Sequence, residues 1–343
     1  MTKRLTVARL DTWYDGAMAE RFELEPDIDL VTCSRSDIAA TMAQLSKAHV
    51  YQISSTRGDV PQSLMADERL IRRCPSLLCV STSGAGHDTV DASACSAAGV
   101  LVVNQAGINA AAVAEHTLGV ILALSRRLLH SDRRLRRERG FAREDLMGRD
   151  ISGKVLGLVG IGHIGTRVAT LANAFGMDVI AFDPYLSAAE IERRGASGRS
   201  FDALLAEADF ISLHCPRTSE TAGMMGASAF ARMRNGSFFI TTARGGIHDE
   251  PALAAALASG KLAGAAVDVW DREPPPLDHP LLASDNVIAT WHTAGVTQEA
   301  RSSTALEAAN QVIDLLRGHR PARPVNPEVW DIFRQRLERE AAL

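Results

Sequence analysis

Three glycines at the spacing Gly160-x-Gly162-x-x-Gly165 follow an apolar run, Val155 to Gly160, and lead into Thr166 to Phe175, a segment of helical length. That order of strand, glycine turn and helix suits a dinucleotide. Gly160 permits a tight turn, Gly162 lets a pyrophosphate approach the backbone, and Gly165 lets the helix pack close to the strand. His163 and Ile164 fall between them, at a helix N-terminus whose free N–H groups and positive dipole end attract an anion. Asp183 stands 21 positions after Gly162, at the interval expected of the acid that hydrogen-bonds an adenosine ribose. A carboxylate there repels a 2'-phosphate, and Pro184 and Tyr185 offer no arginine to offset it, so NAD is preferred over NADP. The fingerprint by itself also suits FAD, and the rest of the chain has to choose.

Three later segments, ITTARGGIHDE, AAVDVWDREPP and VIATWHTAGVT, carry polar residues just after apolar runs. Ligands of open parallel sheets bind outside the carboxyl ends of strands, so polar residues at these places count for more than others. The elements that would hold them are short apolar runs bounded by turn residues: His49 to Ser54, Leu77 to Thr82, Val100 to Asn104, Val155 to Gly160, Asp178 to Asp183, Phe210 to Cys215, Ser237 to Ala243, Ala265 to Trp270 and Val287 to Thr290. They read as buried strands. Helical segments such as Phe201 to Ala208 and Glu250 to Ser259 alternate with them, which predicts an α/β fold of doubly wound parallel sheets covered on both faces. Ala110 to Arg139 carries few breakers and is expected as one long helix. Its basic end, RRLRRER, reads as a solvated helix end rather than a nucleic-acid patch.

The 343 residues exceed what one core usually serves, so two domains are expected. With 46% hydrophobic and 23% charged residues and a net charge of -4, the composition is globular and gives no attraction to nucleic acid or anionic membrane. The five cysteines (Cys33, Cys74, Cys79, Cys95 and Cys215) form neither a Cys-x-x-Cys pair nor a disulfide framework. MTKRLTVARL has no apolar run of signal-peptide length, and nothing approaches the roughly 18 apolar residues of a membrane span. A cytoplasmic protein with a small-molecule ligand and no metal is expected.

The pieces STSGAGHDTVD, VAEH, GLVGIGHIG, TTARGGIHDE, GAAVDVWDREPP and WHTAG resemble, in this order, the D-isomer-specific 2-hydroxyacid dehydrogenase family, of the phosphoglycerate dehydrogenase and glyoxylate/hydroxypyruvate reductase kind. The resemblance runs from about His49 to Val325-Asn326-Pro327. It implies two Rossmann-like domains with a cleft between them: a substrate domain of residues 1–105 with 297–343, and an NAD domain of residues 106–296. It places the catalytic set on Arg244, Glu273 and His292, Asp268 near the nicotinamide, and Cys215, Pro216, Thr242, Ala243 and Gly295 around the cofactor. A homodimer through the Ala110 to Arg139 region is implied as well.

Chemistry supplies the reason for those three side chains. Moving a hydride to or from C2 of a 2-hydroxy acid also moves a proton at the hydroxyl, which calls for a base tunable near neutrality, and histidine is that side chain. Glu273 would orient the His292 imidazole and stabilise its cation. Arg244 would bind the carboxylate of an anionic 2-oxo acid and polarise its C2 oxygen. Arg244 with Glu273 as a purely structural ion pair, Asp268 as a plain strand end and Cys215 as a reactive thiol are the other readings. The loop Ser81 to Asp88 resembles the family's substrate side, where backbone N–H groups of Ser83, Gly84 and Ala85 would meet a carboxylate, and Arg57 would add a second cation. Trp291 replaces the family's usual proline, His248 stands where an aliphatic residue is common, and His87 is unusual. The chain ends too soon for the regulatory domain of longer phosphoglycerate dehydrogenases. A formate- or phosphite-type dehydrogenase, or a dinucleotide-sensing corepressor, are the rival functions on the same scaffold.

Overall fold

The computed structural model of the chain describes residues 4–12, 15–140 and 142–342. The chain divides into two compact units, a terminal unit of Met1–Asn109 with Thr297–Leu343 and a central unit of Ala110–Val296.

In the terminal unit, β1 (Leu5–Leu10), β2 (Ile28–Cys33), β3 (Val50–Ile53), β4 (Cys79–Thr82) and β5 (Leu101–Val103) form a five-stranded sheet in the order β2-β1-β3-β4-β5. Every pairing is parallel. Both faces are covered. Helices α1 (Ala17–Glu23), Gln298–Leu316 and Trp330–Ala342 close one face around Val7, Val50, Leu101 and Phe333. Helices α2 (Ile38–Leu45), α3 (Glu68–Arg73) and α4 (Ala92–Ala97) close the other around Tyr51, Ile53 and Val80. Strands buried on two sides read as continuous apolar runs, which explains why β3, β4 and β5 are legible in sequence. β1 and β2 are not among the expected strands, because Thr6, Arg9, Asp29 and Thr32 interrupt their apolar pattern.

The central unit begins with α5 (Ala110–Ser125) and α6 (Leu128–Arg137). The expected single helix is therefore two. Arg127 takes φ 55°, and Arg149 returns to donate its N–H to the Ser125 carbonyl at 2.8 Å while accepting the Ser125 hydroxyl at 2.8 Å. The carbonyl that would extend the helix is thus satisfied from outside it. The sheet follows, with β6 (Val155–Val159), β7 (Asp178–Phe182), β8 (Ser197–Gly198), β9 (Phe210–Leu213), β10 (Ser237–Thr241), β11 (Leu262–Val267) and β12 (Val287–Ala289). Their order is β12-β11-β10-β9-β6-β7-β8, all parallel. α5 and α7 (His163–Ala174) cover one face through Leu118, Ile121, Val168 and Ala172. α8 (Ala188–Arg193) lies on that face through Ile191. α9 (Phe201–Glu207), α10 (Ala227–Arg232) and α11 (Glu250–Ala258) cover the other through Leu204, Phe230 and Leu253.

The order reverses between β6 and β9, since β7 and β8 extend one way and β10 to β12 the other. Crevices at such a switch point, at the carboxyl ends of the strands, are where open α/β sheets bind ligands. Among the described residues no helix is long and apolar enough to cross a membrane, and no group of His, Cys, Asp and Glu is arranged to hold a metal.

Candidate active site

The glycine turn lies at the switch point. Gly160 follows β6 with φ 91°, and a Cβ there would come within 2.9 Å of the Cys215 nitrogen at the end of β9. A Cβ on Gly165 would stand 2.4 Å from the Gly160 carbonyl oxygen, so the first turn of α7 sits directly on the strand end. Gly162, the N-cap of α7, is different: nothing lies within 4 Å of the place its Cβ would take. The turn is closed at its first and third glycines and open at its second. Helix N-termini leave their first N–H groups without intrahelical acceptors, so the open side presents the donors an anionic bridge needs. His163 is exposed and Ile164 half-buried at this opening.

Asp183 comes next along the carboxyl edge. Its Oδ2 accepts the Ile161 N–H at 3.1 Å, and its Oδ1 accepts the Tyr185 N–H at 3.1 Å. Each oxygen has two lone-pair sites, so both keep one for a ribose hydroxyl. Burial pushes the Cys215 thiol up to about 11, which keeps it protonated near neutrality and argues against a nucleophile. Pro216 beside it is exposed. These features fit an adenine dinucleotide: an open amide cradle, closed walls on either side of it, and a carboxylate about twenty residues on.

The second cluster occupies the ends of β10, β11 and β12. Asp268, 2% exposed, organises it. Its Oδ1 accepts the Thr290 hydroxyl at 2.6 Å and the Thr293 N–H at 2.9 Å, its Oδ2 accepts the Ala294 N–H at 3.0 Å, and its carbonyl accepts the His292 N–H at 2.8 Å. These bonds hold His292 at φ 51°, a conformation unfavourable for a residue with a Cβ. Asp268 is thus an anchor of the turn that carries His292 and Gly295. His292 Nδ1 lies 2.9 Å from Glu273 Oε2 and 3.1 Å from Oε1, while the Trp270 N–H donates to Glu273 Oε1 at 3.1 Å. A carboxylate on Nδ1 sets the tautomer. The Nε2 atom has no hydrogen-bond partner among the described residues, and the pair is half-buried, within reach of a ligand.

Arg244 follows Thr242 and Ala243, both buried at the end of β10. Its Nη1 donates to the Ala243 carbonyl at 2.7 Å. The next residue, Gly245, is pressed against the turn of Glu273: a Cβ there would lie 2.0 Å from the Trp270 carbonyl oxygen. Arg244, Glu273 and His292 therefore sit on three consecutive strand ends of one sheet.

Arg57 and the Ser81 to Asp88 loop belong to the terminal unit. The Thr82 hydroxyl donates to the Gly84 and Gly86 carbonyls at 3.1 and 2.9 Å, the Asn104 amide to the Ala85 carbonyl at 2.8 Å, and the Gln105 N–H to the Gly84 carbonyl at 2.9 Å. All three carbonyls are tied back. The Ser83 N–H is donated to the Ile53 carbonyl at 2.9 Å, so of the three amides expected to meet an anion this one is already spent within the sheet. Those of Gly84 and Ala85 have no acceptor among the described residues. Arg57 is exposed and donates from Nε to the Asp88 carbonyl at 2.9 Å, at the far end of the same loop.

Sequence reasoning passed over Glu250 and His279. Glu250 is inside the quoted stretch TTARGGIHDE, yet a glutamate at the start of a helix is ordinarily a solvated charge. Only the packing shows it to be buried and paired with His279.

Residues 118–294, just over half of the chain, match the family model of the D-isomer specific 2-hydroxyacid dehydrogenase, NAD binding domain. A D-3-phosphoglycerate dehydrogenase of Archaeoglobus fulgidus is 38% identical over 252 residues, covering 74% of this chain and 48% of that protein. The chain thus spans about half the length of the curated relatives it matches. Among solved structures, a glyoxylate reductase from Paecilomyes thermophila superposes with a TM-score of 0.82 at 26% identity, over 96% of this chain and all of that one, 100%. A D-lactate dehydrogenase from Aquifex aeolicus, complexed with NAD and lactic acid, gives a TM-score of 0.78 at 28% identity, over 91% and 96% of the two chains. The closed and open glycines at the switch point and the paired Glu273 and His292 lie within the matched residues, and the chain belongs to the D-isomer specific 2-hydroxyacid dehydrogenase family, its central unit carrying the family's NAD-binding domain.

Proposed function

We propose that the chain is an NAD-dependent dehydrogenase that interconverts a small 2-oxo acid and the corresponding D-2-hydroxy acid. The observation that carries this is the Glu273 and His292 pair, with Nδ1 held by the carboxylate and Nε2 open. Bound at the Gly162 opening, the dinucleotide supplies the hydride donor or acceptor. The chain's own residues do the rest. His292 Nε2 gives a proton to the C2 oxygen in reduction and takes it back in oxidation, Glu273 stabilises the cation between these events, and the Arg244 guanidinium meets the negative charge of the substrate. His163, Ile164, Asp183, Cys215, Pro216, Thr242, Ala243 and Gly295 are proposed to line the cofactor. In the terminal unit, proposed as the substrate domain, the unspent amides of Gly84 and Ala85 are donors of the kind a carboxylate requires.

The relatives act, by their names, on 3-phosphoglycerate, glyoxylate and lactate. We propose that the substrate of this chain belongs to the same class of small 2-hydroxy and 2-oxo acids. α6 supports the proposed homodimer: none of its residues is buried, and Leu128, Leu129 and Leu135 are exposed along it. The five free thiols suit the reducing cytoplasm proposed for it.

The test is NADH oxidation in the presence of glyoxylate, pyruvate, hydroxypyruvate, phenylpyruvate and 2-oxoglutarate. Turnover of at least one is expected. NADH binding without turnover of any of them would overturn this reading in favour of the rivals, a dinucleotide-sensing binding protein or a formate- or phosphite-type dehydrogenase.

A further inference from the structure

A second carboxylate–imidazole pair lies in the central unit. Glu250 opens α11 with its side chain 9% exposed, and its Oε2 is 3.0 Å from Nε2 of His279. His279 Nδ1 accepts the Leu281 N–H at 3.3 Å, so the ring proton sits on Nε2 and is donated to the carboxylate. The imidazole stands edge-on to Trp270, with centroids 5.4 Å apart and planes at 80°. The other carboxylate oxygen, Oε1, accepts the N–H of Asp271 at 2.8 Å.

Asp271 lies in the turn between β11 and Glu273, and that turn is gripped on several sides. The Trp270 indole donates to the Thr290 carbonyl at 3.0 Å, two residues before His292. The Trp270 N–H donates to Glu273 itself. The Trp270 carbonyl is in contact with Gly245, next to Arg244. Among the described residues, Glu250 is the one acceptor for the Asp271 amide.

We propose that Glu250 is a positioning residue: fixed by His279, its carboxylate clamps the Asp271 amide and so holds the Glu273 carboxylate on His292 Nδ1. Glu250 touches none of the reacting groups assigned above and acts only through the turn. Without it the Asp271 N–H loses its acceptor, the turn is free to shift, and Glu273 leaves its place on the imidazole. Displacements of this size at a catalytic pair are costly, because general catalysis depends on the reacting groups being held in line. The inference rests on the assignment of Glu273 and His292 made under Proposed function.

The test is a cycle of four proteins: wild type, Glu250→Ala, Glu273→Gln and the double variant. Glu250→Ala is expected to lower kcat about 10-fold with NADH affinity unchanged, and to cost less than about 2-fold when Glu273 is already Gln. An equal loss in both backgrounds would mean that Glu250 merely stabilises the fold, and would overturn the proposal. Should Glu250→Ala fail to fold, Glu250→Met enters the same cycle, since it keeps the length of the side chain but accepts from neither Asp271 nor His279. A second readout needs no turnover. In crystals of the Glu250 single variant that folds, the contact between Glu273 Oε2 and His292 Nδ1, 2.9 Å here, is expected to open beyond hydrogen-bond length, and an unchanged contact would overturn the proposal. If wild type reduces no 2-oxo acid, the proposed function falls while this contact still decides the role of Glu250.

Discussion

Glu273 with His292 and Glu250 with His279 are the same two side-chain types at nearly the same separation, 2.9 and 3.0 Å, in the same unit. They differ in what remains unused. In the Glu250 pair both imidazole nitrogens are engaged and the side chains are 9% and 13% exposed; in the Glu273 pair Nε2 is open and the side chains are 27% and 31% exposed. An imidazole with both nitrogens satisfied is a structural strut. One with a single nitrogen oriented and the other open can exchange a proton. The distinction between scaffold and chemistry here lies in one unsatisfied atom rather than in residue type.

His292→Ala strikes the open pair most directly: kcat for 2-oxo acid reduction should fall roughly 100- to 10,000-fold while NADH still binds, as steady-state rates and fluorescence titration would show. Glu273→Gln keeps the shape but replaces an acceptor with an amide, and a fall of about 100-fold in kcat is expected from loss of tautomer and cation stabilisation. His279→Ala, aimed at the closed pair, should appear mainly as stability, with unfolding in urea about 2 kcal/mol easier because Glu250 is left buried without its donor. A loss of kcat equal to that of His292→Ala would erase the distinction between the two pairs.

A third imidazole extends the comparison to the case with no carboxylate. His214 directly follows β9, with Nε2 2.9 Å from the Ser212 hydroxyl, and burial pushes it down from 6.5 to about 4. The folded protein then binds this proton less readily than the unfolded chain, so the stability is fully present above about pH 6.5 and is lost as pH falls toward about 4. Between about pH 7 and about pH 5 the loss from this one group is about 2 kcal/mol. Urea unfolding at the two pH values should show that difference shrinking in His214→Gln. The smallest expected effect concerns the cofactor: Asp183→Ala should narrow the preference for NADH over NADPH by several-fold, on the order of 1 kcal/mol, and an unchanged ratio would remove Asp183 from the ribose.

The strands buried on both faces and the glycine turn were legible in the chain, because a continuous apolar run and a steric requirement for glycine are local properties. Gly160, Gly162 and Gly165 could be assigned three separate constraints before any packing was known. The break at Arg127 was not legible, since it depends on Arg149 arriving from 24 residues away to satisfy Ser125. Nor was the use of the Ser83 amide, spent on Ile53 in the neighbouring strand. His248, where an aliphatic residue is common in the family, is 1% exposed against the Phe239 ring, and burial pushes it down, so it occupies the place as an apolar group would. Glu250 marks the limit of reading motifs for chemistry. Its type was visible, but its role is set by Asp271 and His279, 21 and 29 positions later.

The central claim is that the chain moves a hydride from NADH to C2 of a small 2-oxo acid while His292 Nε2 gives the proton to the C2 oxygen. Incubation with NADH deuterated at C4 and the 2-oxo acid that turns over, followed by chiral separation and mass analysis of the product, tests it most directly. A single deuterium at C2 of the D-2-hydroxy acid is the predicted result. Product of L configuration, deuterium elsewhere, or no product from any 2-oxo acid would contradict it.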